Sequence, residues 1–139
     1  MRRLSDIVSN KPPLTLAPTH TVKVACERMR DRQAGAVLVT DGKGTLMGIF
    51  TSRDAVTRIV AAGKSPSKTK LNEVMTRNPT TVTPEMTAIE ALRLMWDGGF
   101  HHVPVVRGRT IVGVISRADF QANEEDQFEQ ERTLWEHMR

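Results

Sequence analysis

The stretch Gly48-Ile49-Phe50-Thr51-Ser52-Arg53-Asp54 recurs as Gly113-Val114-Ile115-Ser116-Arg117-Ala118-Asp119. Each copy is a glycine, two apolar residues, a hydroxyl residue and, three positions later, an aspartate. The duplication reaches well beyond this stretch. Leu4-Ser5-Asp6-Ile7-Val8 is echoed by Leu71-Asn72-Glu73-Val74-Met75. Pro18, Thr21, Ala25, Met29, Val37 and Val39 recur 66 positions on as Pro84, Thr87, Ala91, Met95, Val103 and Val105. After the loops at Asp41-Gly42-Lys43-Gly44 and Arg107-Gly108-Arg109 the offset shortens by one, so that Thr45, Gly48 and Asp54 match Thr110, Gly113 and Asp119. A one-residue slip inside a turn is the cheapest place for a length change. The chain is therefore two copies of a unit of about 65 residues, and a repeat of that kind decides the fold before composition does.

Each unit reads as β-α-β-β-α. Leu14-Thr15-Leu16 and Thr80-Thr81-Val82 are short Thr- and aliphatic-rich strands closed by a nearby proline. Thr21 N-caps a helix whose apolar face is Val22, Ala25, Cys26 and Met29, at helical spacing. In the second copy Thr87 and Glu90 form a capping box ahead of Ala88, Ala91, Leu92 and Met95. Two β-hairpins follow, Ala36 to Thr40 with Leu46 to Phe50, and His102 to Val106 with Ile111 to Ile115. The closing helix runs from Asp54 to Ala62 and stops at Gly63; its counterpart starts near Arg117. One unit alone is too small to bury its sheet and both helices. The expectation is an α/β fold in which residues 1–68 and 69–122 pack sheet to sheet about a pseudo-twofold axis. Residues 123–139 form an amphipathic C-terminal helix carrying Phe128, Leu134, Trp135 and Met138. That stripe suits either packing on its own domain or a dimer contact.

No apolar run approaches the roughly 20 residues of a membrane span, and no apolar segment follows the basic N-terminus to make a signal peptide. With one cysteine, Cys26, no intrachain disulfide forms. These features point to the cytoplasm and away from a membrane. The net charge of +4 suits an anionic partner. There is no Lys/Arg block interleaved with aromatics, so nucleic acid is the weaker choice of anion. Gly42-Lys43-Gly44-Thr45 lacks the upstream glycine of a phosphate-binding Walker loop, and no nucleophilic catalytic arrangement is suggested. His101 and His102, adjacent on a strand, point to opposite faces and make a poor joint metal site. One buried and one exposed strand histidine is the plain reading. Cys26 and the methionines Met29, Met75, Met86 and Met95 read as core residues.

Thr51-x-x-Asp54 and Ser116-x-x-Asp119 each open a helix. A first turn offers free N–H groups and a dipole that favour phosphate. An aspartate one turn inside can accept two hydroxyl protons from a ribose cis-diol. Arg53 and Arg117 add charge for further phosphates. The same pattern also makes a plain capping box; its recurrence behind a glycine and two apolar residues favours a nucleoside-phosphate site.

On these residues the chain resembles a tandem pair of CBS domains, the module named after cystathionine β-synthase, of the stand-alone bacterial kind. His101-His102-Val103-Pro104-Val105-Val106 and Val74-Met75-Thr76-Arg77-Asn78-Pro79 resemble the family as well. The resemblance covers about residues 4 to 122. It implies two clefts between the paired sheets, able to take AMP, ADP or ATP and in some members NAD or an adenosyl compound. It implies that Thr51 and Asp54 meet Thr76, Pro79, Thr80 and His101 in one cleft. In the other, Ser116 and Asp119 meet Ser9, Leu14 and Gly35, with His101 reaching the phosphate. Asp54 and Asp119 would hold ribose hydroxyls; Thr51 and Ser116 would touch ribose or α-phosphate. The first copy departs from the second in having Ser9 in place of Thr76 and Pro12-Pro13 before its strand. The expected function is a non-catalytic, adenine-nucleotide-binding regulatory module acting on a client protein, with no catalytic cofactor, and paired into a homodimer. A structural dimerisation module with vestigial clefts is the alternative, and a nucleic-acid-binding protein a weaker one.

Overall fold

The computed structural model describes residues 1–8 and 11–138. The first repeat opens with α1 (Leu4–Val8), β1 (Thr15–Leu16) and α2 (Val22–Arg32). The hairpin β2 (Ala36–Thr40) and β3 (Leu46–Thr51) follows. Its closing helix begins as α3 (Ser52–Asp54) and continues as a six-residue π-helix, Ala55–Val60. The second repeat has α4 (Leu71–Val74), β4 (Thr76–Arg77), α5 (Ala88–Gly98), β5 (His102–Arg107) and β6 (Thr110–Ser116). A single 3₁₀ turn, Arg117–Asp119, precedes α6 (Ala122–His137). None of the described helices is long and apolar enough to cross a membrane.

The helix starts follow the sequence. The Thr21 hydroxyl accepts from the Val24 N–H at 3.2 Å, and that of Thr87 accepts from the Glu90 N–H at 3.3 Å. The Thr87 hydroxyl donates in turn to Glu90 Oε1 at 2.9 Å, so the box closes through the side chain of its cap. β1 lies parallel to β2, β2 antiparallel to β3, and β4 antiparallel to β3. β5 and β6 pair antiparallel. The strand expected at Thr80-Thr81-Val82 contracts to one parallel bridge, Val82 to Val105. Pro84, two residues on, has no N–H with which to extend the ladder.

The cores are built across the repeats. In the first core, Val22, Ala25 and Met29 of α2 pack with Val37, Val39 and Phe50 of the sheet, and with Leu71, Val74 and Met75 from the start of the second repeat. The other core is the mirror arrangement: Ala88, Ala91, Leu92 and Met95 with Val103, Val105 and Ile115, completed by Leu4, Ile7 and Val8 of the first repeat. Backbone bonds repeat the exchange. The Leu4 N–H donates to the Met86 carbonyl and the Leu71 N–H to that of His20, both at 2.9 Å. The opposite faces of the strands, Ala36, Leu38 and Ile49, meet Ile111 and Val114 between the sheets. This alternation along β2 is the period-two pattern of a strand covered on both sides. Cys26 borders the first core, and burial pushes its thiol pKa up.

The repeated glycines permit the exchange. A Cβ on Gly48 would lie 2.7 Å from Met75 Sδ and from the Thr76 carbonyl; one on Gly113 would lie 2.9 Å from Val8 Cβ. In each case the end of the exchanged helix meets the strand where only glycine leaves room.

The closing helices differ between repeats. The counterpart of the first is broken at Phe120, which is extended and buried in the second core. Ala55, its equivalent, packs at the edge of the first core and stays helical. After the break the Gln121 N–H donates to Glu124 at 2.8 Å and a new helix starts. That helix packs on its own fold. Phe128 is buried and meets Trp96 edge-on at 6.1 Å, and Arg2 forks onto Glu124 at 2.6 and 3.1 Å. The guanidinium beside it holds the Glu124 carboxyl below its usual range.

Because Leu4 fills the core of the other repeat, Leu4→Ala is expected to cost about 2–5 kcal/mol. Hydrogen exchange should show faster opening of β5 and β6 than of β2 and β3. Preferential opening of the strands of its own repeat would contradict the exchange.

Candidate functional site

Two clefts lie where the halves meet. The larger, about 700 Å³, is lined by Ile49, Thr51, Ser52, Arg53 and Asp54 from the first repeat, and by Thr76, Asn78, Pro79, Thr80, Gly99, Phe100, His101 and His102 from the second. The seven residues expected there, Thr51, Arg53, Asp54, Thr76, Pro79, Thr80 and His101, are brought together. β3 delivers Thr51 at its last position, so the helix starts at the cleft mouth. The Thr51 N–H donates to Asp54 Oδ2 at 2.9 Å, and Thr51 Oγ1 accepts from the Asp54 N–H at 3.2 Å. The capping box thus uses one carboxylate oxygen. Arg58 Nε stands 3.6 Å from the other and is anchored by its Nη1 on the Val74 carbonyl at 2.6 Å. Asn78, in the left-handed region at φ 47°, turns the chain so that Pro79 and Thr80 face the cleft. Asparagine tolerates that conformation because its short polar side chain bonds locally.

The second cleft, about 380 Å³, is lined by Ser116 and Asp119 with Leu14 and Gly35, as expected, and also by Lys11, Pro12, Pro13, Arg32 and His102. Ser9 lies outside the described residues. Two expectations are corrected. Arg117 lines neither cleft: its guanidinium lies 5.7 Å from the Trp96 ring, drawn to an aromatic face on the neighbouring helix. His101, just ahead of β5, lines the larger cleft, and the adjacent His102, the first residue of β5, lines both.

The second turn closes differently. The Ser116 N–H and hydroxyl both donate to Asp119 Oδ2, at 2.7 and 3.3 Å. Lys11 holds an ion pair with Asp119 Oδ1. Lys11 and Arg58 were not singled out from the sequence. Arg58 follows Asp54 by one helical turn, which was a usable signal; Lys11 is 108 residues from Asp119 and carried none.

His102 stands between the clefts and lines both. Its Nε2 lies 2.7 Å from where a Gly35 Cβ would be, which explains glycine there. Burial lowers the His102 pKa, the neighbouring His101 lowers it further, and Asp119 opposes them. Among the described residues no group of three or more His, Cys, Asp or Glu is arranged to hold a metal ion.

Doubled strand-to-helix turns, exchanged helices and two clefts between facing sheets define the architecture of a paired CBS module, and the chain belongs to the CBS domain family, which matches it over residues 4–61 and 71–123. It is 44% identical over 102 residues to the CBS domain-containing protein CBSCBSPB2 of Arabidopsis thaliana, covering 73% of this chain and 19% of that protein. The chain spans about a fifth of the length of such plant relatives. Among solved structures, a CBS domain protein of Pyrobaculum aerophilum complexed with AMP superposes with a TM-score of 0.81 at 22% identity, over 92% of this chain and 98% of that one. The CBS domain pair of protein MJ0100, in complex with 5′-methylthioadenosine and S-adenosyl-L-methionine, gives 0.75 at 27% identity, over 84% and 94%.

A histidine with a lowered folded-state pKa binds its proton less readily in the native state than in the unfolded one. Its contribution is fully present above the unfolded value of about 6.5 and is lost as pH falls toward the folded value. Denaturation midpoints should therefore drop between pH 7.5 and 5.5, and the drop should shrink in His102→Gln. An undiminished drop would place the titration elsewhere.

Proposed function

We infer that the chain is a non-catalytic regulatory module that binds an adenine nucleotide, AMP, ADP or ATP, with NAD as a further candidate, and relays occupancy to a client protein in the cytoplasm. Its functional unit is the pair of repeats, residues 1–68 and 69–122, supported by the helix of 123–139. The observation that carries this reading is the meeting of Thr51, Arg53 and Asp54 with Thr76, Pro79, Thr80 and His101 in one cleft of about 700 Å³. That volume suits a small organic ligand. In this reading Asp54 accepts ribose hydroxyl protons. The first helical turn after Thr51, with Arg53, offers positive potential to phosphate. Ile49, Pro79 and Phe100 give the cleft an apolar wall suited to a purine. The solved relatives with AMP and with adenosyl ligands support the same class of ligand.

Calorimetric titration of nucleotide-stripped protein with AMP, ATP and NAD tests this reading. At least one should bind below millimolar. Asp54→Asn, which keeps a capping oxygen, should weaken binding at the larger cleft about tenfold or more, the scale of a charge-assisted hydrogen bond. No binding below millimolar by any of the three would overturn the function.

The homodimer is supported by apolar side chains left exposed in i, i+4 pairs, Val56 with Val60 and Leu134 with Met138. Isolated exposed apolar residues are ordinary, whereas paired ones on a helix face form a contact stripe. Light scattering should give twice the chain mass, falling to the monomer in Val56→Glu/Val60→Glu or Leu134→Glu/Met138→Glu. A monomeric parent chain would rule the dimer out.

A further inference from the structure

The clefts surround their aspartates differently. Beside Asp54, positive potential comes from Arg53 and from a helix of three α and six π residues. The Asp119 cleft lacks both sources. Ser116 is followed by one 3₁₀ turn that ends at extended Phe120, and Arg117 is turned onto Trp96. The cations lining this cleft are Lys11 and Arg32. Arg32 is committed: its Nη2 donates to the Pro12 carbonyl at 2.8 Å. That bond ties the strap Lys11-Pro12-Pro13 to the last turn of α2, and two prolines with fixed φ stiffen it. Lys11, at the head of the strap, is left with its ammonium on Asp119 Oδ1. With Oδ2 held by Ser116, both carboxylate oxygens are engaged. The Asp119 side chain is 7% exposed, against 15% for Asp54.

We propose that Lys11 is the specificity determinant of the second cleft: a tethered cation that covers Asp119 in the free protein and makes the cleft select phosphorylated nucleosides over unphosphorylated ones. This rests on the reading of the clefts as adenine-nucleotide sites. A neutral nucleoside reaches Asp119 only by breaking the ion pair, and it offers the freed ammonium nothing in return. A nucleotide brings a phosphate that accepts the same ammonium, so one charge-assisted interaction is exchanged for another. The Lys11 side chain is 62% exposed, and an ammonium on a flexible four-carbon stem can follow its partner. Arg58, which faces Asp54, is held on the Val74 carbonyl and belongs to a helix. Among the described residues the larger cleft therefore has Arg53 but no swinging cation seated on its aspartate.

The test weakens the larger cleft with Asp54→Asn, fits two sites, and compares AMP with adenosine at the second by calorimetry, with Lys11 intact and in Lys11→Met. The expected result is tighter adenosine and weaker AMP in Lys11→Met, so that the AMP-to-adenosine affinity ratio falls about tenfold: adenosine no longer has a surface ion pair to break, and AMP no longer has an ammonium for its phosphate. Lys11→Arg, which keeps the charge, should hold the ratio near its parent value. Nucleotide binding with a ratio changed by less than about twofold overturns the role of Lys11 alone. A natural-sequence chain that binds neither ligand overturns the nucleotide reading and the role of Lys11 with it.

Discussion

The crossing of α1 and α4 into opposite cores is the constraint from which the rest of the molecule follows. Leu4, Ile7 and Val8 complete the core of the second repeat, while Leu71, Val74 and Met75 complete that of the first. Burial of three apolar side chains on each side removes enough surface from water to contribute several kcal/mol, about 1.5–3 kcal/mol for each large side chain. The exchange also holds the two sheets face to face, since each repeat is fastened at its entry to the other's helix layer. The clefts are its geometric by-product. Each opens where the chain leaving an exchanged helix passes the strand-to-helix turn of the other repeat, which is why Thr76, Pro79 and Thr80 come to face Asp54.

Against that shared frame the two halves differ at most positions, and one difference has large consequences. Phe120 stands where the first repeat has Ala55, and its ring is drawn into the second core. The helix that would continue past Asp119 stops, and the backbone is released to begin α6. Trp96 then lies between Phe128 and the guanidinium groups of Arg117 and Arg132. One aromatic substitution thus connects the loss of Arg117 from the cleft, the shortened turn beneath Ser116 and the seating of the C-terminal helix.

The paired fold, both hairpins, the capping threonines and the complete set of expected residues in the larger cleft were legible because they rest on local pattern and on repetition. Thr51 and Asp54 are three residues apart, and their partners were carried by the resemblance. What was not legible depends on pairings distant in sequence or on competition between environments. That α1 and α4 pack on the opposite repeats leaves no mark in periodicity, because an apolar stripe does not name the surface it covers. Lys11 meets Asp119 only after the chain has folded around both. The direction of Arg117 was decided by Trp96 and the break at Phe120, not by the motif in which it sits. The choice for the tail was open in its stripe, and Phe128 and Glu124 answer for packing on its own fold, while Leu134 and Met138 stay exposed.

The exchanged helices bear on how such a chain could have arisen. A single repeat of this design leaves a gap in its core that its own N-terminal helix, aimed outward, does not fill. Two separate copies would close both gaps by trading those helices, a swapped pair held by the packing that Leu4 and Leu71 provide here. Joining the copies through the polar stretch at 64–70 turns that trade between molecules into an intramolecular one and removes its dependence on concentration. Duplication then frees the two clefts to change independently, as symmetry-related sites on identical chains cannot, and Ala55 beside Phe120 is the trace of that freedom.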